Sequence, residues 1–382
     1  MVSSTLKKTN HITPPTITHI FWSLCYGGIE TMLVNIANAQ CKLGTKISII
    51  IINNKFENSL IKSINSKIKV YIINRKSNIF DMYYIIKLNT LLSKINPDII
   101  HLHQSNIYKF ILSKKLKEKS CVTLHALPTG PMRMGSYPMI LLKKLFSIRL
   151  PYSNVYYIDK INKVFSISEA VKKELLKKYN VKSYVIYNGI KTSDFSERNK
   201  IHPPKKLHIV QVSRLDHKIK GQDLLIKAAS VLKEKISVDF IGTGPSIDYL
   251  KELAIKLSIE KNIHFLGKKE QAYISKHLSD YDLFIQPSIT EGFGLTVAEA
   301  MAAKLPVLVS AGQGPEEIIK GNTYGWVFKN GDLDDLIQKI ELIINEYDKA
   351  IEKASKALSF VKRMYDIKET ANNYIKAYCD KA

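Results

Sequence analysis

Glu291-Gly292-Phe293-Gly294-Leu295-Thr296-Val297-Ala298-Glu299 is the stretch from which the rest of the chain can be read. The apolar run Tyr281 to Gln286 before it reads as a buried strand, and Ala300 to Ala303 after it continues a helix. The segment is therefore a strand, a glycine turn and a helix start. Gly292 and Gly294 let the backbone approach a ligand without a Cβ in the way. The N–H groups of Gly294, Leu295 and Thr296 then face that ligand, and a helix N-terminus favours an anion such as phosphate. Glu291 and Glu299 flank the turn, and carboxylates are good acceptors for sugar hydroxyls. An anion cradle between two hydroxyl acceptors describes a nucleotide-sugar site. Taken alone, the segment reads equally well as an ordinary turn with two solvated glutamates.

The 382 residues give room for two or three domains, and 45 % apolar composition marks a globular chain. Cys25, Cys41, Cys121 and Cys379 form no C-x-x-C pair, which fits reduced thiols, and no His/Cys/Asp cluster with metal-ligand spacing stands out. The stretch up to about Thr16 is polar and lacks the apolar core of a signal peptide. No run approaches the roughly 20 apolar residues of a membrane span. The expectation is a cytoplasmic protein.

The net charge of +23 is unevenly placed. Residues 1–196 carry 29 Lys and Arg against 9 Asp and Glu, leaving 28 against 25 for the remainder. That asymmetry points to an acidic partner for the first half: anionic lipid, nucleic acid or a charged glycan.

Outward from the opening stretch, both halves alternate strand and helix. Ile17–Trp22 is a strand, Gly27-Gly28 a turn and Ile29–Leu43 a helix. Strands follow at 46–52, 68–73, 99–102, 121–124, 164–167 and 184–187, with helices expected at 80–95, 105–117 and 169–178. A Pro/Gly-rich loop, Ala126 to Pro138, leads into the basic and apolar segment Met139–Leu150. From Ser193 to Lys206 the pattern stops and Pro203-Pro204 marks a linker. The alternation restarts at Leu207. The predicted fold class is α/β, two doubly wound Rossmann-like domains facing a cleft at the carboxyl ends of their strands. The expected boundaries are 1–196, 197–362, and a C-terminal helix, 363–382, packing back on the first domain.

After the strand 207–212, Arg214 and Lys220 lie in a strand-to-helix loop on the same side of the sheet as the Glu291 turn. Two cations facing an amide cradle would hold a diphosphate and stabilise it as it leaves. A solvated basic loop is the plain alternative. Gly242-Thr243-Gly244-Pro245 is a further turn that admits a ligand.

The ordered set Ser-Arg-Leu…Lys-Gly at 213–221, Gly242-Thr-Gly-Pro245, Gln286-Pro-Ser288 and the Glu291–Glu299 run resembles the retaining glycosyltransferases of family four, which have the GT-B fold. Gly27-Gly28 with Glu30, Ser166-Ile-Ser168, Asn188-Gly-Ile190 and Gly312 through Ile319 extend the resemblance over most of the chain. It implies that Arg214 and Lys220 bind the donor diphosphate, that Glu299 takes ribose hydroxyls and that Glu291 contacts the donor sugar. It further implies that Phe293, Gly294, Leu295 and Thr296 present backbone to sugar and phosphates. Gly27, Gly28, Gly242 and Gly244 would approach the donor, and His125 would face the sugar near the reacting carbon. Base selection would lie partly near Gly267-Lys268-Lys269.

The resemblance implies a metal-independent, retaining enzyme with no cofactor beyond its nucleotide-sugar substrate, UDP-linked ahead of GDP-linked. The favoured picture has the leaving diphosphate assist deprotonation of the acceptor on the same face. The acceptor is expected to be a lipid-linked glycan of O-antigen, capsule or lipopolysaccharide type. Basic, apolar surface near Ser105–Lys119 and Met139–Leu150 would rest on the inner face of the plasma membrane. Other expectations to weigh are a GT-B epimerase or phosphorylase, or a basic nucleic-acid-binding protein, although no helix-turn-helix or aromatic-interleaved basic module supports the last.

Overall fold

The computed structural model describes residues 15–25, 27–76, 82–132, 153–200 and 204–380. The expected segment Met139–Leu150, and part of the loop before it, lie outside the described residues.

Ile-rich runs with β-branched side chains on both faces form parallel strands buried from both sides. In the first sheet these are β1 (Ile17–Phe21), β2 (Ile47–Asn53), β3 (Lys69–Arg75), β4 (Ile99–Leu102), β5 (Ser120–Leu124), β6 (Lys163–Ser166) and β7 (Tyr184–Val185). The spatial order is β3-β2-β1-β4-β5-β6-β7, every pair parallel. The second sheet holds β8 (Leu207–Val212), β9 (Ile236–Ile241), β10 (Ile263–Gly267), β11 (Leu283–Gln286), β12 (Val307–Ser310) and β13 (Trp326–Phe328). Its order is β10-β9-β8-β11-β12-β13, again all parallel. Each sheet is doubly wound. The strand order reverses between β1 and β4 in one and between β8 and β11 in the other. Open α/β sheets bind ligands at the carboxyl ends of the strands beside such reversals.

The helix Ile367–Cys379 returns to the first sheet. Its Ile367, Ala371, Tyr374 and Tyr378 join one buried cluster with Phe21, Ile36 and Phe165. The Tyr374 hydroxyl lies 3.0 Å from Thr123 Oγ1. Asp366 forms an isolated bridge with Ile190, so the chain crosses twice between the lobes. At the first crossing Arg198, 2 % exposed, pairs with Asp282 at 2.9 Å and donates from Nε to the Tyr281 carbonyl at 2.8 Å. A guanidinium satisfied in this way pins the linker to the second lobe. The linker's composition carried no sign of that anchor.

One helix differs from expectation. Ser105–Lys117 is not continuous: a 3₁₀ turn, Ser105–Phe110, is followed by an extended link and a short helix, Lys114–Glu118. The break has two causes. The Asn89 side chain takes the Leu112 N–H at 2.8 Å, removing it from any helical ladder. Ser113 then accepts from Leu116 N and caps a new helix start. No helix among the described residues is long and apolar enough to cross a membrane.

Candidate functional site

The Glu291 turn is held in place from three sides. Gly294 sits at φ +98°, where glycine is favoured, and caps the helix Leu295–Ala302; a Cβ there would come within 2.8 Å of Pro315. Gln313 Oε1 accepts from Glu291 N at 2.8 Å, and Ser168 Oγ from the first lobe donates to the Gly292 carbonyl at 2.8 Å. Phe293 is 3 % exposed and packs between Tyr187 and Tyr365, so its side chain belongs to the core between the lobes. Only its backbone can serve a ligand.

The loop after β8 is locked to the same turn. Ile219 O accepts from Ile289 N at 2.9 Å and from Thr290 N at 3.2 Å. Gly221, at φ +65°, is pressed against the Pro287 carbonyl with no room for a side chain. Lys220 ends a single helical turn, His217–Lys220, and its ammonium pairs with the Glu291 carboxylate. Arg214 is exposed and faces the same space.

That space is a cavity of about 270 Å³ between the lobes. Of the residues singled out from the sequence, Arg214, Lys220, Glu291, Phe293, Gly294, Leu295 and Thr296 line it from the second lobe and His125 from the first. Burial lowers the His125 pKa to about 4, so the ring is neutral at physiological pH. Three lining groups carry a buried polar atom without a hydrogen-bond partner among the described residues: His125 Nδ1, Asn188 Oδ1 and Gln286 Oε1. Unpartnered buried polar atoms are rare, and convergence in one cavity points to a polar ligand.

Leu295 also borders a second cavity of about 790 Å³, which Gly28 and Glu299 line. Glu299 is 8 % exposed and accepts from Gln271 Nε2 at 2.9 Å. Burial raises its pKa to about 7. At Gly28 an added Cβ would meet nothing within 4 Å among the described residues, so none of them demands glycine there. Gly27 is the extended N-cap residue of the helix Gly28–Lys42. Gly242 and Gly244 are placed differently. Gly242, at φ +140°, presses on the Ser213 carbonyl, and Gly244 on that of Leu215. Neither lines the two cavities. Both let the β9 turn pack closely against the loop that carries Arg214.

The resemblance included Asn188, Gln286 and Glu317 within its motifs but gave none of them a role. The Glu317 carboxylate takes the Glu169 N–H at 3.0 Å, the Ala170 N–H at 3.3 Å and the Tyr187 hydroxyl at 2.7 Å, tying the second lobe to a helix start of the first. Sequence reading passed over a group of buried histidines. His19, His101 and His103 bring ring nitrogens within 4.8 Å of one another, a spacing that could hold a metal ion. All six ring nitrogens are, however, engaged in hydrogen bonds to His, Gln, Thr or Tyr partners.

Comparison with known proteins places these features. The family model for glycosyltransferase family 4 matches residues 26–194, and that for glycosyl transferases group 1 matches residues 193–358. The chain belongs to glycosyltransferase family 4. Across its length this glycosyltransferase is 24 % identical to an uncharacterized glycosyltransferase of Haemophilus influenzae, over 87 % of this chain and 90 % of that one. Over 148 residues it is 34 % identical to the amylovoran biosynthesis glycosyltransferase AmsK of Erwinia amylovora, covering 36 % of each. Among solved structures it is similar to Anabaena HepE in complex with UDP and glucose, with TM-score 0.75, 18 % identity and 95 % and 98 % of the two chains covered. Two parallel-sheet lobes of this kind are the GT-B fold.

Proposed function

We propose that this glycosyltransferase moves a hexose from a UDP-sugar to a glycan acceptor with retention of anomeric configuration and without a metal ion. The carrying observation is the small cavity itself. Two cations, Arg214 and Lys220, a helix N-terminus and three unpartnered polar atoms meet there within about 270 Å³. The diphosphate lies against Arg214, Lys220 and the amides after Phe293, and the ribose reaches Glu299 through the adjoining space. Glu291, Asn188, Gln286 and His125 take the hydroxyls of the sugar. As the sugar–phosphate bond breaks, the two cations and the amide dipoles stabilise the charge gathering on the leaving diphosphate. A leaving oxygen on the same face takes the acceptor proton, which gives retention without an enzymic nucleophile. HepE was solved with UDP and glucose, which supports the choice of donor.

The acceptor in this reading is lipid-linked, as in surface-polysaccharide assembly. Met82, Tyr83, Ile86 and Leu112 are large apolar side chains 48–64 % exposed on the first lobe, beside the exposed Lys87, Lys109, Lys114 and Lys115. Apolar groups with basic neighbours suit an anionic bilayer surface. Flotation with vesicles containing anionic lipid, but not with neutral vesicles, is the expected result; equal non-binding to both would remove the membrane from the account.

Hydrolysis and transfer assays against a panel of UDP-, GDP- and ADP-sugars test the donor. Turnover of a UDP-sugar is expected. Turnover of only GDP- or ADP-sugars would overturn the base assignment, and binding of oligonucleotides in place of nucleoside diphosphates would overturn the whole reading.

A further inference from the structure

A single file of hydrogen bonds runs from the interior of the first lobe to the cavity. Gln40 Oε1 lies 2.8 Å from His19 Nε2, His19 Nδ1 lies 3.0 Å from His103 Nε2, and His103 Nδ1 lies 3.1 Å from His125 Nε2. Gln40, His19 and His103 are 0–4 % exposed. The topology produces the file. His19 on β1 stands in register with His101 on the neighbouring β4, and β4 pairs with β5. His103 and His125 follow at the carboxyl ends of those strands, where the sheet opens to the cleft. Gln40 reaches His19 from the helix Gly28–Lys42.

We propose that Gln40, through His19 and His103, sets the tautomer of His125, so that His125 presents a bare Nδ1 to the cavity and accepts a hydrogen bond from a hydroxyl of the transferred sugar. A neutral imidazole has one N–H, so each ring in the file donates at one nitrogen and accepts at the other. The direction is therefore common to all three rings. The amide oxygen of Gln40 can only accept, so His19 donates from Nε2 and keeps Nδ1 bare. His103 then donates from Nε2 to that nitrogen, and His125 donates from Nε2 to His103 Nδ1. His125 Nδ1 is left as a lone pair at the outer end, and it has no partner among the described residues. Burial keeps the whole file neutral. It lowers His19 to about 4, and it drives His103 well below the ordinary histidine value, with its histidine neighbours adding to the effect. His101 stands outside the file, its nitrogens taken by Thr123 and Tyr378 at 2.7 and 2.6 Å. Gln40, some distance from the cavity, is a positioning residue. The choice of a sugar hydroxyl as the outer partner rests on the proposed transferase reading; the tautomer does not.

The test uses the full chain labelled with ¹⁵N-histidine, without nucleotide, and reads the tautomers from two-bond proton–nitrogen correlations. The expected spectrum shows His125 with a pyridine-type Nδ1 and a protonated Nε2, and His19 and His103 in the same tautomer. Gln40→Met keeps the shape but removes the acceptor; both His125 tautomers then appear, and kcat/KM for the donor falls roughly fivefold, the scale of one hydrogen bond. A protonated Nδ1 on His125 in the unaltered protein, or a Gln40→Met spectrum identical to it, would overturn the proposal. If Gln40→Met does not fold, the spectrum of the unaltered protein decides alone. Because that spectrum needs no turnover, a protein with the expected tautomer and no sugar transfer would refute the transferase reading and leave the file standing.

Discussion

The Lys220 ammonium and the Glu291 carboxylate, 71 residues apart in sequence, form an ion pair in the lining of the interlobe cavity. Both side chains are about four-fifths buried, so the pair is poorly screened by solvent. The carboxylate holds the ammonium in position and also offsets its charge. Glu291→Gln should therefore bind UDP more tightly than the unaltered protein while turning over more slowly, by at least about tenfold, since a carboxylate contact to the reacting sugar is lost. Calorimetry with UDP beside steady-state kinetics separates the two effects. Weaker binding together with unchanged kcat would show that Glu291 serves the diphosphate site and not the sugar.

Two glycines separate ligand space from packing space. Among the described residues nothing lies near the missing Cβ of Gly28, so Gly28→Ala should leave thermal stability unchanged or slightly raised, because alanine favours a helix. It should still raise the donor KM. Gly242→Ala should do the reverse. At φ +140° and against the Ser213 carbonyl, it loses stability by more than about 1 kcal/mol. Melting curves and donor KM for the two variants check this crossed pattern.

Much of this arrangement was legible in the chain. Runs such as Ile49 to Ile52, all nearly fully buried, betray parallel strands by composition alone, and the turns after β8 and β11 carry glycines and charges in recognisable order. Side-by-side relationships were not legible. The doubly wound order was expected, but the histidine file depends on which residues of β1, β4 and β5 stand side by side, and that register is a property of the sheet that residue spacing does not show. At Gly242 and Gly244 a neighbouring backbone already demands glycine, and a glycine of that kind looks the same in sequence as one that a phosphate requires. The continuous helix expected over Ser105–Lys117 failed because the competing hydrogen bond comes from Asn89 on another element.

Glu299 should give nucleotide binding a pH dependence. Its carboxyl titrates at about 7 in the folded protein against an ordinary 4.5, because burial disfavours the charge. Ribose hydroxyls donate to the ionised form, so UDP affinity should rise as pH passes upward through about 7, with proton release on binding below it. The same shift favours folding at low pH: its contribution is fully present below about 4.5 and is lost as pH rises to 7, by roughly 3 kcal/mol. Glu299→Gln should flatten both profiles. Calorimetry in buffers of different ionisation enthalpy counts the protons; zero release at pH 6 would contradict the assignment.

The buried histidines act in the opposite sense. His19 and His125 titrate near 4, and His101 and His103 well below the ordinary 6.5, all chiefly through burial. Unfolding exposes them to protons they cannot take when folded, so their contribution is fully present above pH 6.5 and is lost as pH falls toward 4. Urea denaturation followed by far-ultraviolet circular dichroism should show a lower midpoint at pH 5.5 than at pH 7.5. A midpoint that rises on acidification over that range would mean the Glu299 term outweighs all four.

Glu317 joins the lobes. Its carboxylate takes two backbone N–H groups at the start of the helix Glu169–Tyr179 and the Tyr187 hydroxyl. Loss of such a capping carboxylate costs on the order of 1–2 kcal/mol. Glu317→Ala should therefore favour a more open arrangement, seen as a larger radius of gyration in solution scattering and a higher donor KM. An unchanged radius together with an unchanged KM would show that the contact does not govern closure.

The most direct test of the central claim compares the binding of UDP and uridine to the unaltered protein and to the Arg214→Ala, Lys220→Ala double variant. Each charge-assisted contact is worth about 1.5–3 kcal/mol. The account predicts that the unaltered protein prefers UDP to uridine by at least about a hundredfold and that the double variant binds the two nearly alike. A double variant that keeps the full preference for UDP would contradict it.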